Sequence, residues 1–159
     1  MTYTYNCNSP IGRIYIAESD GAITYLKFGR PPHDSREERE TPLLLRAVEQ
    51  LDEYFAGRRR EFDLPLNPAG TEFQKKAWNA LLTIPYGETR SYKEQADIVG
   101  NIKACRAVGA ANGKNPISIF IPCHRVIGTN GTLTGYGGGI DIKKALLQLE
   151  RDADKIAIL

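Results

Sequence analysis

Ser91-Tyr92-Lys93-Glu94-Gln95-Ala96-Asp97-Ile98-Val99-Gly100-Asn101-Ile102-Lys103-Ala104-Cys105-Arg106-Ala107-Val108-Gly109-Ala110-Ala111-Asn112-Gly113 is the stretch that decides the fold. Ser91 followed by Glu94 is a capping box, which starts a helix by satisfying two orphan backbone donors. That helix runs to about Val99 and stops at Gly100. A second helix is expected over roughly Lys103–Asn112, closed by Gly113. Two short helices joined by a tight glycine-containing turn are the helix-turn-helix arrangement. Lys103, Arg106 and Lys114 lie on or near its second helix.

Upstream, Thr71 with Gln74 forms another capping box, opening a helix through Ala77, Trp78, Leu81 and Leu82 that stops before Pro85. Asn67-Pro68-Ala69-Gly70 reads as a linker, so residues 67–159 form a mainly helical C-terminal domain and residues 1–66 a separate one. In that first domain, Arg13–Ala17 and Ala22–Phe28 are β-branched and aromatic, and Asp20-Gly21 between them signals a hairpin. Thr2–Cys7 adds a third strand. Arg30–Glu40 reads as a loop, and Leu44, Val48, Leu51 and Phe55 mark an amphipathic helix over Pro42–Ala56. The fold class is α+β.

Downstream, Ile117-Ser118-Ile119-Phe120-Ile121-Pro122 is an apolar run that ends on Cys123-His124-Arg125-Val126. A thiol of pKa ~8.5 is mostly protonated near neutrality, and neighbouring cations favour the nucleophilic thiolate. A thiolate below that value is therefore expected. The bland alternative is a structural cysteine packed in a core. In an extended strand, Cys123 and His124 would point to opposite faces, so the segment must bend or a water must link them. Ile142, Ala145, Leu146 and Leu149 predict a last helix with Glu150 near its end.

Net charge is +2, with 42% hydrophobic and 25% charged residues, as in a soluble globular chain. Residues 1–71 carry 9 Lys/Arg against 11 Asp/Glu, whereas residues 72–159 carry 12 against 8. The second half thus offers a basic surface for an anion, or simply a solvated face. No apolar run reaches the ~18 residues of a membrane span, and the N-terminus lacks the features of a secretory signal. Three cysteines without a CxxC spacing suit a reducing compartment, so cytoplasmic location is expected. His33 and His124 are too few and too scattered for a zinc site, so neither metal nor cofactor is expected.

Thr71-Glu72-Phe73-Gln74, Ile84-Pro85-Tyr86-Gly87-Glu88-Thr89, Ser91-Tyr92, Arg106-Ala107-Val108-Gly109, Asn115-Pro116, Pro122-Cys123-His124-Arg125 and Tyr136-Gly137-Gly138-Gly139 occur in that order. The set resembles the O6-alkylguanine-DNA alkyltransferases. The likeness is dense over residues 71–150 and general over 1–66. It implies a small ribonuclease H-like α/β domain followed by a winged helix-turn-helix domain. The implied partner is double-stranded DNA carrying O6-alkylguanine, bound through the minor groove without sequence preference. A monomer is implied, with cooperative loading on DNA left open, as is association with a nucleoid in a prokaryote. O4-alkylthymine is a possible secondary substrate by the same resemblance.

The resemblance also assigns roles. Cys123 takes the alkyl group once, through a relay of water, His124 and Glu150, and Asn115 ties backbone beneath it. Arg106 fills the gap left by a flipped base, although the residues alone favour a phosphate contact or an exposed arginine. Tyr92 polarises the leaving guanine and crowds its phosphate. Lys103, Ala107, Gly109 and Arg125 complete the DNA-binding set. Tyr136 walls the base pocket, with backbone of Gly137, Gly138 and Val126 reading the base. Asn101-Ile102 stands where a proline is expected between the two helices, and Cys105 is read as packing. A thiol hydrolase and a winged-helix regulator are the alternatives of other classes. A lesion-binding module without transfer is disfavoured by the presence of Cys123.

Overall fold

The computed structural model describes residues 2–33, 37–131, 133, 136 and 139–158, with side chains of the last helix described as far as 153. The chain opens with β1 (Thr2–Ser9), β2 (Gly12–Ser19) and β3 (Ala22–Phe28), a meander of antiparallel neighbours. Asp20 and Gly21 turn the second hairpin with φ of 52° and 80°, the left-handed pair that a two-residue hairpin requires. The expected loop over 30–40 contains a short strand, β4 (Glu37–Glu38), which pairs parallel to β1 and completes the order β3-β2-β1-β4. Its charged residues carry no strand pattern of their own; the exposed edge of β1 recruits their backbone.

Helix α1 (Pro42–Phe55) packs on this sheet. Thr41 caps it, accepting from Leu44 N at 3.1 Å and donating its hydroxyl to buried Glu18 at 2.6 Å, so the cap also ties helix to sheet. The fully buried stripe is Leu44, Ala47, Leu51 and Tyr54. Val48 and Phe55, expected to share it, are only partly buried because the stripe runs one residue to the side.

Three helices follow: α2 (Glu72–Leu81), α3 (Tyr92–Val99) and α4 (Cys105–Gly113). Both predicted capping boxes form, Thr71 with Gln74 and Ser91 with Glu94. Gly100 ends α3 at φ 101°. Where a proline was expected, Asn101 accepts from Lys103 N at 3.1 Å through its side chain and supports the turn by that bond. Ala77, Ala96, Ala104, Val108 and Ala111 form the small core among these helices, allowing close approach of their backbones. Trp78 Nε1 donates to Ala111 O at 2.8 Å, and the Gln95 and Asn112 amides exchange two bonds of 2.8 Å. Burial with full satisfaction of these polar groups fixes the angle between α3 and α4.

A two-stranded parallel ribbon of β5 (Arg90–Ser91) and β6 (Val126–Ile127) ties the start of α3 to the segment after Cys123. The last helix, α5 (Ile140–Ile158), runs well past Glu150, which therefore sits mid-helix rather than near its end. One continuous apolar cluster joins Ile14, Leu26 and Tyr54 from the first half to Trp78, Phe120 and Leu146 from the second. No described helix is long and apolar enough to cross a membrane.

Candidate active site

The apolar run before Cys123 is not a strand. Leu26 N donates to Pro116 O at 2.9 Å and Ser118 N to Leu26 O at 3.0 Å, fastening the start of the run along β3. The chain then turns, with Ile119 at φ 70°. A buried β-branched residue in that region is strained, and the surrounding packing must hold it there. Cys123–Arg125 follow as one turn of 3-10 helix, which supplies the bend that adjacent reacting residues need.

Behind that turn lies a buried carboxylate. Glu150 accepts from His124 Nε2 at 2.7 Å, Tyr54 Oη at 2.7 Å, Gly87 N at 3.2 Å, and Arg125 Nε and Nη2 at 2.9 and 3.1 Å. Those partners hold its carboxyl far below the usual range despite burial. Burial pushes the His124 imidazole down, against the pull of Glu150, so the ring is neutral near neutrality. With Glu150 ionised, the proton of that neutral ring sits on Nε2, and Nδ1 keeps its lone pair. Nδ1 is buried and has no protein partner among the described residues. Tyr54, shifted well above its ordinary value by burial and by Glu150, keeps its proton and donates it.

Arg125 departs from its expected role. It is 6% exposed, forks onto Glu150 and donates to Ile84 O at 2.8 Å, so its guanidinium is a buried structural cation. The Cys123 thiol also departs from expectation: its burial raises the pKa above the ordinary value. Opposing that rise are the Asn115 side chain, Lys27 and Lys143. The two potential cations adjacent in sequence, His124 and Arg125, are turned toward Glu150 instead. Asn115 is buried beneath the cysteine, its amide donating to Ile121 O at 2.9 Å and accepting from Ile117 N at 3.0 Å.

Tyr136 is buried next to Cys123, whose charge raises its hydroxyl pKa further, while Ser118 opposes the shift. Val126 is fully buried in the same cluster. Tyr92 opens α3 with Lys143 Nζ 5.9 Å from its ring centroid, and Gly109 lies against its ring. Arg106, Ala107 and Ala110 are exposed along α4, and Lys103 is exposed just before it. Cys105 packs against the small helical core as expected but is only partly buried, its thiol directed at Ile102 O at 3.4 Å. Gly137 and Gly138 lie outside the described residues. The described residues include no cluster of His, Cys, Asp or Glu suited to a metal.

Tyr54, Lys27 and Lys143 were not anticipated. Tyr54 had a signal, because Leu44, Ala47, Leu51 and Tyr54 follow helical spacing. For the lysines the sequence offers none, since nothing local shows that β3 abuts the cysteine.

Two family models match the chain: the ribonuclease-like domain of 6-O-methylguanine DNA methyltransferase over residues 1–68, and its DNA-binding domain over 72–152. A methylated-DNA–protein-cysteine methyltransferase of Methanosarcina acetivorans is 53% identical over 147 residues, covering 89% of this chain and 94% of its own. The crystal structure of Mycobacterium tuberculosis O6-methylguanine methyltransferase superimposes with a TM-score of 0.89 at 49% identity, covering 96% of this chain and 94% of that one. A structure of the same Mycobacterium protein in complex with DNA also gives 0.89 at 49% identity, over 95% and 94%. With a ribonuclease-like first domain and this cysteine site in the second, the chain belongs to the methylated-DNA–protein-cysteine methyltransferase family.

Proposed function

We propose that this protein repairs DNA by moving an alkyl group from O6 of guanine to Sγ of Cys123, once per molecule. The observation that carries the reading is a buried cysteine whose neighbour in the same turn is a neutral imidazole backed by an ionised carboxylate.

Direct displacement at an alkyl carbon needs a soft nucleophile, and thiolate is the best that side chains offer. The buried thiol is protonated at rest, so it must lose its proton as the substrate arrives. His124 Nδ1 is the available acceptor, reached through a bridging water, and Glu150 stabilises the imidazolium through Nε2. The Asn115 amide and the nearby lysines then stabilise the thiolate. Sγ attacks the alkyl carbon, the carbon–sulfur bond forms as the carbon–oxygen bond breaks, and the bonding pair stays on O6. Guanine takes up one proton from the Tyr92 hydroxyl, and the proton taken by His124 returns to the Tyr92 phenolate through solvent. Water does not cleave a thioether, so each molecule acts once.

The exposed face of α4 combines Ala107 and Ala110 with Arg106, and exposed Lys103 and Lys114 flank its two ends. Small residues let backbone approach the minor groove, and cations meet phosphates, which fix position without reading sequence. Gly109 belongs to this approach only through its packing on Tyr92. Extruding the base costs a few kcal/mol of unstacking, which Arg106 offsets by filling the gap. Tyr136 and Val126 wall the base pocket. O4-alkylthymine presents the same alkyl–oxygen bond and is the secondary substrate. The protein works as a cytoplasmic monomer.

The test is to incubate the protein with a duplex carrying a labelled O6-methylguanine, digest it, and map the label. Label on the Cys123 peptide, and none with Cys123→Ser, is the expected result. Label on Cys7 or Cys105, or no label on the wild-type protein, would refute it.

A further inference from the structure

We propose that Lys27, on the N-terminal sheet, is an electrostatic positioning residue for the Cys123 thiolate, so that the first domain supplies part of the reactive centre. The proposal rests on Cys123 being the nucleophile of the preceding section.

The placement comes from the backbone. Leu26 is fully buried and bridges to Ile117, with bonds of 2.9 and 3.0 Å fastening β3 to residues 116–118. Lys27, next along β3, sends its ammonium to Asn115 O at 2.5 Å, across 88 residues of sequence. Asn115 is the residue whose amide supports the cysteine turn and faces Sγ. One lysine thus anchors the carbonyl of that residue and sets a positive charge beside the sulfur.

The neighbourhood of that charge is one-sided. Lys27 is partly buried, and among the described residues no carboxylate pairs with it. The charges that bear on it are Arg30, which disfavours the ammonium, and Cys123, which as thiolate favours it. A half-buried ammonium facing one titratable sulfur has a thiolate as its natural counter-ion. Other groups also face the sulfur: Lys143 on α5, Tyr136 in the loop before it, Asn115, and the His124–Glu150–Arg125 cluster behind the turn. Lys143 already has Tyr92 beside it and belongs to the second domain. Lys27 and Lys143 both favour the thiolate, and Lys27 is the one that reaches it from the first domain.

A cation favours the charged form of a thiol, so losing it raises the pH at which the thiolate appears. Lys27→Gln keeps a hydrogen-bond donor but removes the charge, whereas Lys27→Arg keeps the charge. The experiment follows the rate of Cys123 alkylation by iodoacetamide against pH, by peptide mapping, in wild type and both variants. Folding is checked by the emission of Trp78. Lys27→Gln should move the half-point upward by on the order of one pH unit, the low end of what a neighbouring opposite charge produces. Below the half-point that is roughly a tenfold slower reaction at fixed pH. Lys27→Arg should restore most of the wild-type profile. Superimposable profiles for folded Lys27→Gln and wild type would overturn the proposal, and so would equal shifts in both variants, since a loss indifferent to charge is structural. If Lys27→Gln does not fold, Lys27→Met in the same assay gives the charge comparison, with the same outcomes. Wild type that alkylates at Cys123 but takes no methyl from DNA would refute the proposed function without touching this inference.

Discussion

Replacing Glu150 by glutamine nearly preserves shape and deletes one charge, yet its cost should be large. The carboxylate accepts five hydrogen bonds, from His124, Tyr54, Gly87 and twice from Arg125. A glutamine amide has one acceptor oxygen and an NH2 that would face the donors of Arg125 or His124. Arg125 would remain buried at 6% exposure with its charge uncompensated. Breaking one partner of a buried ion pair typically costs about 3–5 kcal/mol, and that is the expected loss at pH 7. Its pH dependence has a definite sign. A carboxylate held below its unfolded value contributes stability above that value, ~4.3, and loses it as pH falls toward the folded value. Wild type should therefore exceed Glu150→Gln in full at pH 7, and the gap should narrow steadily below about pH 4. Tyr54→Phe is the graded control, removing one bond to a charged acceptor at about 1.5–3 kcal/mol. Urea unfolding followed by the emission of Trp78 at pH 7, 5 and 3.5 reads all of this. A loss under about 1 kcal/mol at pH 7, or a gap that does not change with pH, would refute the reasoning.

Arg106→Ala should slow repair of a methylated duplex far more than reaction with free O6-benzylguanine, because the free base needs no extrusion; equal losses would remove Arg106 from base flipping. Gly70→Ala should destabilise by about 1–3 kcal/mol, by overpacking. An added Cβ there would lie 2.5 Å from Trp78 Cη2 and 2.8 Å from Gln74 Oε1, and the indole is pinned by its bond to Ala111. Unchanged urea midpoints would show that the linker yields instead.

Much of the fold was legible because its signals are local. Two capping boxes, the Asp20-Gly21 turn and the stop at Gly100 each act within four residues, and each appears where the spacing placed it. The strand Glu37–Glu38 was not legible, since an edge of β1 creates it rather than its own residues. Cys123 was singled out from its neighbours and its relay with His124 and Glu150 from a resemblance, and the geometry brings the last two to 2.7 Å. The electrostatics could not be read in the same way. Adjacency to His124 and Arg125 suggested a thiolate, but a 3-10 turn directs both to Glu150 and leaves the sulfur facing lysines from β3 and α5. Burial then outweighs those cations in the resting state. Which polar group meets which is a matter of tertiary packing, and it is packing that buries Arg125 against Glu150.

The central claim, a single irreversible transfer to one sulfur, is tested most directly by titrating the protein with an excess of O6-methylguanine duplex and recording its intact mass. The account predicts that the mass rises by one methyl group and then stays constant however much duplex is added, while Cys123→Ser keeps its original mass. Continued loss of methyl from the duplex beyond one equivalent per protein, or a second methyl on the chain, would contradict it.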